Sequence, residues 1–121
     1  MGYLYYGNYA QYYEIGRVEM LRSLGLSYKA MEEELGIMMP VVSMQIRYLR
    51  PVLYDDLITI KTIIRQLPER SIVFHMELYN EQGKLVNGGT VKLCFVDIKS
   101  QKTVPAPEFL VDKLSPYFEE A

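Results

Sequence analysis

From Tyr9 to Leu24, apolar or small residues return every three or four positions, at Tyr9, Tyr13, Gly16, Met20 and Leu24. That spacing predicts one helix with a single buried stripe. Asn8 stands where a cap is wanted, so the helix is expected from Asn8 to Leu24. Gly16, in the middle of the stripe, gives up helix propensity, a loss that makes sense where another part of the chain must come close. Gly25 supplies a stop. Ser27 is placed to cap a second, short helix through about Glu34, and Gly36 to end it.

The period then changes from helical to two. Val42, Met44, Ile46 and Tyr48 face one side, with Ser43, Gln45 and Arg47 on the other, and Pro51 limits or bends this strand. Ile58, Ile60 and Ile64 mark a second strand, and Ile72, Phe74, Met76 and Leu78 a third. Val91, Leu93 and Phe95 mark a fourth after a turn at Asn80-Glu81-Gln82-Gly83. Together these runs predict an antiparallel sheet, in which Gly88-Gly89 reads as a bulge or a site of close packing. Pro105 and Pro107 close the strand region, and Phe109, Leu110, Leu114, Tyr117 and Phe118 predict a last helix. The fold class expected is therefore α+β, with the long helix on one sheet face. The other face carries enough apolar residues to suggest a subunit contact or a packed terminal helix.

Composition narrows the classes of function. The 121 residues suffice for one hydrophobic core, so residues 1–121 are expected to form a single domain. Half are apolar and the net charge is −2, values that favour folding over disorder. Thirteen basic against 15 acidic residues do not supply the basic face that nucleic acid requires. No eighteen-residue apolar run predicts a membrane span, and the aromatic N-terminus does not resemble a secretion signal, so a cytoplasmic setting is expected. The single cysteine, Cys94, lies in an alternating run and reads as a buried structural thiol.

One histidine and one cysteine do not make a zinc set, and serine elbow, phosphate loop and dinucleotide fingerprint are all missing. His75 shares a strand face with Glu77, opposite Phe74 and Met76, where a structural or interface role is expected ahead of a general base. Glu14 and Arg17, three apart, are expected to pair on a flank of the helix.

The chemistry-bearing segment is the beginning of the chain. Gly2-Tyr3-Leu4-Tyr5-Tyr6-Gly7-Asn8-Tyr9 is a tyrosine-rich turn running straight into the helix, and such a junction offers unpaired N–H groups to an oxygen carrying negative charge. This run, followed by Tyr13-Glu14-Ile15-Gly16-Arg17, resembles the hotdog-fold acyl-CoA thioesterases, in particular the branch of 4-hydroxybenzoyl-CoA and Tol-Pal-associated thioesterases. Arg50-Pro51-Val52, Asp55-Asp56, Asn87-Gly88-Gly89, Val96-Asp97 and Pro105 extend the resemblance over nearly the whole chain.

The resemblance implies a long helix wrapped by a curved antiparallel sheet, with active sites between paired subunits of a homodimer or homotetramer. It implies hydrolysis of an acyl-CoA or acyl-carrier thioester without a cofactor, since coenzyme A is part of the substrate. The backbone N–H near Tyr6 would donate to the thioester carbonyl, and Gly2 would let the preceding loop approach. Asn8 and Tyr9 would support the turn and line the acyl pocket, which Tyr5, Tyr12 and Tyr13 could shape. The branch's catalytic aspartate lies three residues before the glycine matching Gly2, two positions upstream of Met1, and its leading strand is likewise expected upstream. Glu14 is the substitute carboxylate to consider, although it sits about one and a half turns beyond the helix start. Arg47, Arg50, Lys61, Arg65, Lys92 and Lys99 are the basic candidates for the coenzyme's phosphates. Two other readings keep the fold: a non-catalytic acyl-CoA or acyl-carrier binding module, and a dehydratase that would need a better-placed histidine than His75.

Overall fold

The structure, a computed structural model, describes residues 6–52 and 57–118, with only the backbone described for Tyr6, Gly7 and Asn8. The expected Asp55-Asp56 turn lies outside the described residues.

Helix α1 runs from Tyr6 to Ser23. It begins earlier than the expected cap, so Asn8 falls within its first turn, where N–H groups have no intrahelical acceptor and helix-forming demands are weak. Gly25 ends it in the expected manner, at φ +80°. The Gly25 N–H bonds the Arg22 carbonyl at 2.9 Å and the Leu26 N–H reaches back to the Leu21 carbonyl at 2.8 Å. This pair of bonds requires a left-handed residue, which glycine adopts without strain. The short α2 (Tyr28–Ala30) is capped by Ser27, whose Oγ accepts the Ala30 N–H at 3.0 Å. It widens into a π-helical turn over Met31–Leu35 that Gly36 closes.

The strands are β1 (Ile37–Met38), β2 (Val41–Tyr48), β3 (Thr59–Ile64), β4 (Ser71–Tyr79), β5 (Leu85–Cys94) and β6 (Val96–Asp97). Four of them form an antiparallel sheet in the order β2-β5-β4-β3, and β1 pairs with β6 in a separate ribbon. That ribbon has no readable signature, because two residues carry no period.

β5 starts well before the expected Val91. Asn87, Gly88 and Gly89 interrupt the apolar alternation, yet each is paired on both sides: Asn87 between Tyr48 and Leu78, Gly88 between Arg47 and Glu77, Gly89 between Ile46 and Met76. The register irregularities fall between Val41 and Ser43 and between Leu78 and Tyr79, so the glycine pair is not a bulge. In the β4–β5 hairpin the Asn80 Oδ1 accepts the N–H groups of Gln82 and Lys84 at 3.0 and 2.9 Å.

The inner sheet face, toward α1, buries Ile72, Phe74, Met76, Leu78, Val91 and Leu93. Two glycines let helix and sheet meet. A Cβ on Gly16 would stand 2.5 Å from Thr62 Oγ1, 2.7 Å from Met76 Cε and 2.9 Å from Ile60 Cγ2. The close approach expected at Gly16 is thus made against β3 and β4. A Cβ on Gly89 would stand 2.1 Å from the Gln45 carbonyl oxygen and 2.8 Å from the Tyr13 hydroxyl.

The buried stripe of α1 differs in detail from expectation: Tyr9, Tyr13, Arg17 and Leu21 are buried, whereas Met20 and Leu24 are half-buried. Cys94 is half-buried instead of buried, since alternation gives the inward positions to Leu93 and Phe95. The terminal helix breaks into α3 (Glu108–Leu114) and a 3-10 turn (Ser115–Tyr117). Pro116 cannot continue an α-helix, and Phe109 and Tyr117, expected on its apolar face, are exposed.

Candidate active site

Tyr9 and Tyr13 lie one turn apart on the sheet-facing side of α1, 3% and 0% exposed. Below them, Tyr48 ends β2 and Asn87 sits directly opposite it on β5. The Tyr9 and Tyr48 rings meet edge to face, centroids 5.0 Å apart and planes at 81°, a favoured aromatic geometry. The Tyr13 hydroxyl donates to Asn87 Oδ1, and Gly89 makes room for its ring. Burial, with Tyr48 and Tyr9 beside it, pushes the Tyr13 phenol far above its ordinary value, and Arg47 offsets only part of this. Tyr13 therefore keeps its proton and serves as a hydrogen-bond donor, with no capacity to act as a base near neutral pH.

Two of these residues carry no strong sequence signal. Asn87 enters the sequence reading only in the Asn87-Gly88-Gly89 run of the family resemblance; its detectable mark is a polar residue inside an apolar run, next to two glycines. Tyr48 counted only as the last apolar position of its strand.

The first turn of α1, from Tyr6, stands above this tyrosine and asparagine floor. Its N–H groups are those left without intrahelical acceptors, and the helix dipole adds partial positive charge there. Gly2 and Tyr5, and the side chains of Tyr6 and Asn8, lie outside the described residues. Tyr12 packs half-buried against the core.

Comparisons with known proteins bear on this arrangement. A family profile described as thioesterase superfamily matches residues 1–87. The chain belongs to the thioesterase superfamily. It is 32% identical over 104 residues to the putative acyl-CoA thioesterase YneP of Bacillus subtilis, covering 86% of this chain and 75% of that one. It is 31% identical over 110 residues to the acyl-CoA thioester hydrolase YbgC of Escherichia coli, covering 91% and 81%. Among solved structures it superposes on a DHNA-CoA thioesterase from Staphylococcus aureus with a TM-score of 0.85 at 29% identity, covering 98% of this chain and 78% of that one. The fold is accordingly the hotdog fold, with α1 as its central helix.

The other candidate groups of this superfamily member fall outside the tyrosine floor. Glu14 is exposed on α1. Its expected partner Arg17 is instead only 6% exposed, and the ion pair recorded on the helix joins Glu19 and Arg22 at 3.0 Å. The four-residue step from Tyr13 carries Arg17 inward, while Glu14 turns to solvent. His75 lies on the outer sheet face, where it lines a groove of about 300 Å³ with Arg47, Arg65, Glu77, Gly88 and Thr90 among others. Burial and the Arg65 charge hold its imidazole below the ordinary value, while Glu77 pulls it up. Facing away from α1, it is remote from the helix start. Asp97 is a turn residue, accepting the Ser100 N–H at 2.8 Å.

Arg47 and Arg65 thus point to the outer groove, and Lys61 and Lys92 occupy outward positions in the same cross-strand rows. Arg50 and Lys99 are exposed in loops. The six basic candidates do not converge on one point. Among the described residues, no group of three or more His, Cys, Asp or Glu could hold a metal ion, and no helix is long and apolar enough to cross a membrane.

Proposed function

We propose that this chain hydrolyses acyl-CoA thioesters to a free acid and coenzyme A as one hotdog domain spanning residues 1–121. The observation that carries this reading is the start of α1 at Tyr6, above a floor of buried Tyr9, Tyr13 and Asn87 edged by half-exposed Tyr48. Attack on a thioester carbon moves negative charge onto the carbonyl oxygen. First-turn N–H groups, the one near Tyr6 foremost, stabilise that charge more than the ground-state carbonyl, which is the condition for catalysis. The tyrosine floor receives the acyl group.

Attack comes from water, or from a carboxylate whose acyl intermediate water then hydrolyses; the C–S bond breaks and coenzyme A leaves as the thiol. Exposed Glu14 has no role in the step. The reaction needs no cofactor, and either coenzyme A or an acyl carrier presents the thioester, in the cytoplasm.

Subunit pairing goes with this reading. β2 is an edge strand, and Val41, Val42 and Tyr48 on it, with Leu49 just beyond its end, are all about half exposed, a surface suited to a second copy in a homodimer or homotetramer.

The test is thiol release from a panel of aromatic and short or medium aliphatic acyl-CoAs. It is run on this chain and on the protein with whatever codons precede Met1. Turnover with at least one acyl-CoA is expected, and a Glu14→Gln variant should retain it. Tight acyl-CoA binding by folded protein without turnover in either form would replace hydrolysis with a binding role.

A further inference from the structure

The sheet-facing stripe of α1 runs Tyr9, Tyr13, Arg17, Leu21, so a permanent cation sits in the middle of an otherwise aromatic and aliphatic series. Arg17 is 6% exposed, and its Nε and Nη1 are buried without a hydrogen-bond partner. Next to it the Tyr28 hydroxyl, carried by the short helix α2, is likewise buried without a partner. Burial pushes the Tyr28 phenol up; the Arg17 guanidinium, which donates toward the phenol oxygen and leaves its proton free to donate onward, draws it down, and the Glu14 charge raises it.

A guanidinium removed from water without a counter-charge is strongly unfavourable, and water in its place would supply acceptors but no charge. Three donors from two helices therefore share a demand for one negatively charged acceptor. The two donor residues have independent reasons to be where they are: Arg17 follows Tyr13 by one turn, and Tyr28 is fixed by the Ser27 cap. Among the described residues, Glu14, the acid whose charge acts on Tyr28, is exposed and makes no ion pair with Arg17.

We infer that Arg17 and Tyr28 form a receptor between α1 and α2 for a single carboxylate group. Its chemistry is that of one planar oxyanion accepting from the Arg17 guanidinium and the Tyr28 hydroxyl. The carboxylate has two possible sources, a small free carboxylate or an acidic side chain of the protein itself, and the site is separate from the thioester carbonyl at the start of α1.

The experiment uses the full chain and reads thermal unfolding, with no dependence on thioesterase activity. Sodium acetate is titrated against sodium chloride at matched ionic strength, into wild type, Arg17→Met and Tyr28→Phe. If the source is free carboxylate, acetate at about tenfold excess over its Kd raises the wild-type Tm by roughly 5 °C over the chloride control. The rise is abolished by Arg17→Met and reduced by Tyr28→Phe. If the source is the protein, wild type shows no acetate response, and an acidic-to-amide scan finds one position that is non-additive with Arg17→Met.

Arg17→Met is expected to fold, because its unbranched side chain fills similar apolar volume without the buried charge. Arg17→Lys, which retains charge in a different shape, provides a second variant. Absence of both the acetate-specific rise and any non-additive acid would overturn the inference, as would an acetate response unchanged in both Arg17 variants.

Discussion

Gly88 and Gly89 are neighbours on β5 that face opposite sides of the sheet, and they make opposite demands. At Gly89 an added Cβ would be driven into the Gln45 carbonyl and the Tyr13 ring, because the inner face is where α1 is pressed against the strands. At Gly88 the nearest atom to an added Cβ is the Met76 carbonyl oxygen at 3.8 Å, an ordinary contact, because the outer face is an open groove. The inner face is defined by fit, with Tyr13, Asn87 and Gly16 interlocked. The outer face is defined by charge, with Arg47, Arg65, His75 and Glu77 sharing one groove. Two identical residues, one position apart, thus separate a close-packed surface from an open, charged one.

Substitutions sharpen this contrast in order of size. Gly89→Ala should cost about 3 kcal/mol, since backbone must move to admit the methyl group; chemical denaturation measures it. Tyr13→Phe should cost about 2 kcal/mol, because Asn87 Oδ1 is left buried without its donor, and should reduce kcat/KM for acyl-CoA hydrolysis by roughly tenfold. Gly16→Ala should cost about 1 kcal/mol. Its methyl meets the flexible end of Met76 but also the stiff β-branch atoms Thr62 Oγ1 and Ile60 Cγ2, and alanine returns part of the loss as helix propensity. Gly88→Ala should change stability by no more than about 0.5 kcal/mol.

The outer face should also show a pH signature that the inner one lacks. The His75 imidazole is held below its unfolded value, so the unfolded chain binds more protons as pH falls through that range. Its contribution to stability is present above the unfolded value near 6.5 and lost as pH falls through the lower folded value. Stability measured from pH 7.5 down to 5 should fall less in His75→Gln than in wild type. An identical slope would show that the groove does not tune this histidine.

Much of the fold was legible because period and punctuation agreed. The Gly25 stop, the Ser27 cap, the Asn80–Gly83 turn and the inward set on β4 each have a local cause, and each formed where expected. Gly16 was legible for a different reason: a glycine inside a helix stripe needs something to justify its cost, and β3 with β4 provided it. What escaped depends on contacts distant in sequence. The Glu14–Arg17 spacing suggested a surface pair, but the rotation of α1 against the sheet, which no local pattern encodes, buries one and exposes the other. Asn87 interrupts its strand in sequence and completes the Tyr13 hydrogen bond in space, 74 residues away. The tyrosines of the candidate site were visible as a group, but only the sheet register shows Tyr48 and Asn87 beneath them.

The most direct test is steady-state thiol release from the best acyl-CoA of the panel by wild type, Tyr13→Phe and Gly88→Ala, each shown to be folded. The account predicts turnover by wild type, about a tenfold loss of kcat/KM in Tyr13→Phe and little change in Gly88→Ala. Undiminished turnover in Tyr13→Phe with loss in Gly88→Ala would place the acyl site on the outer face and contradict it.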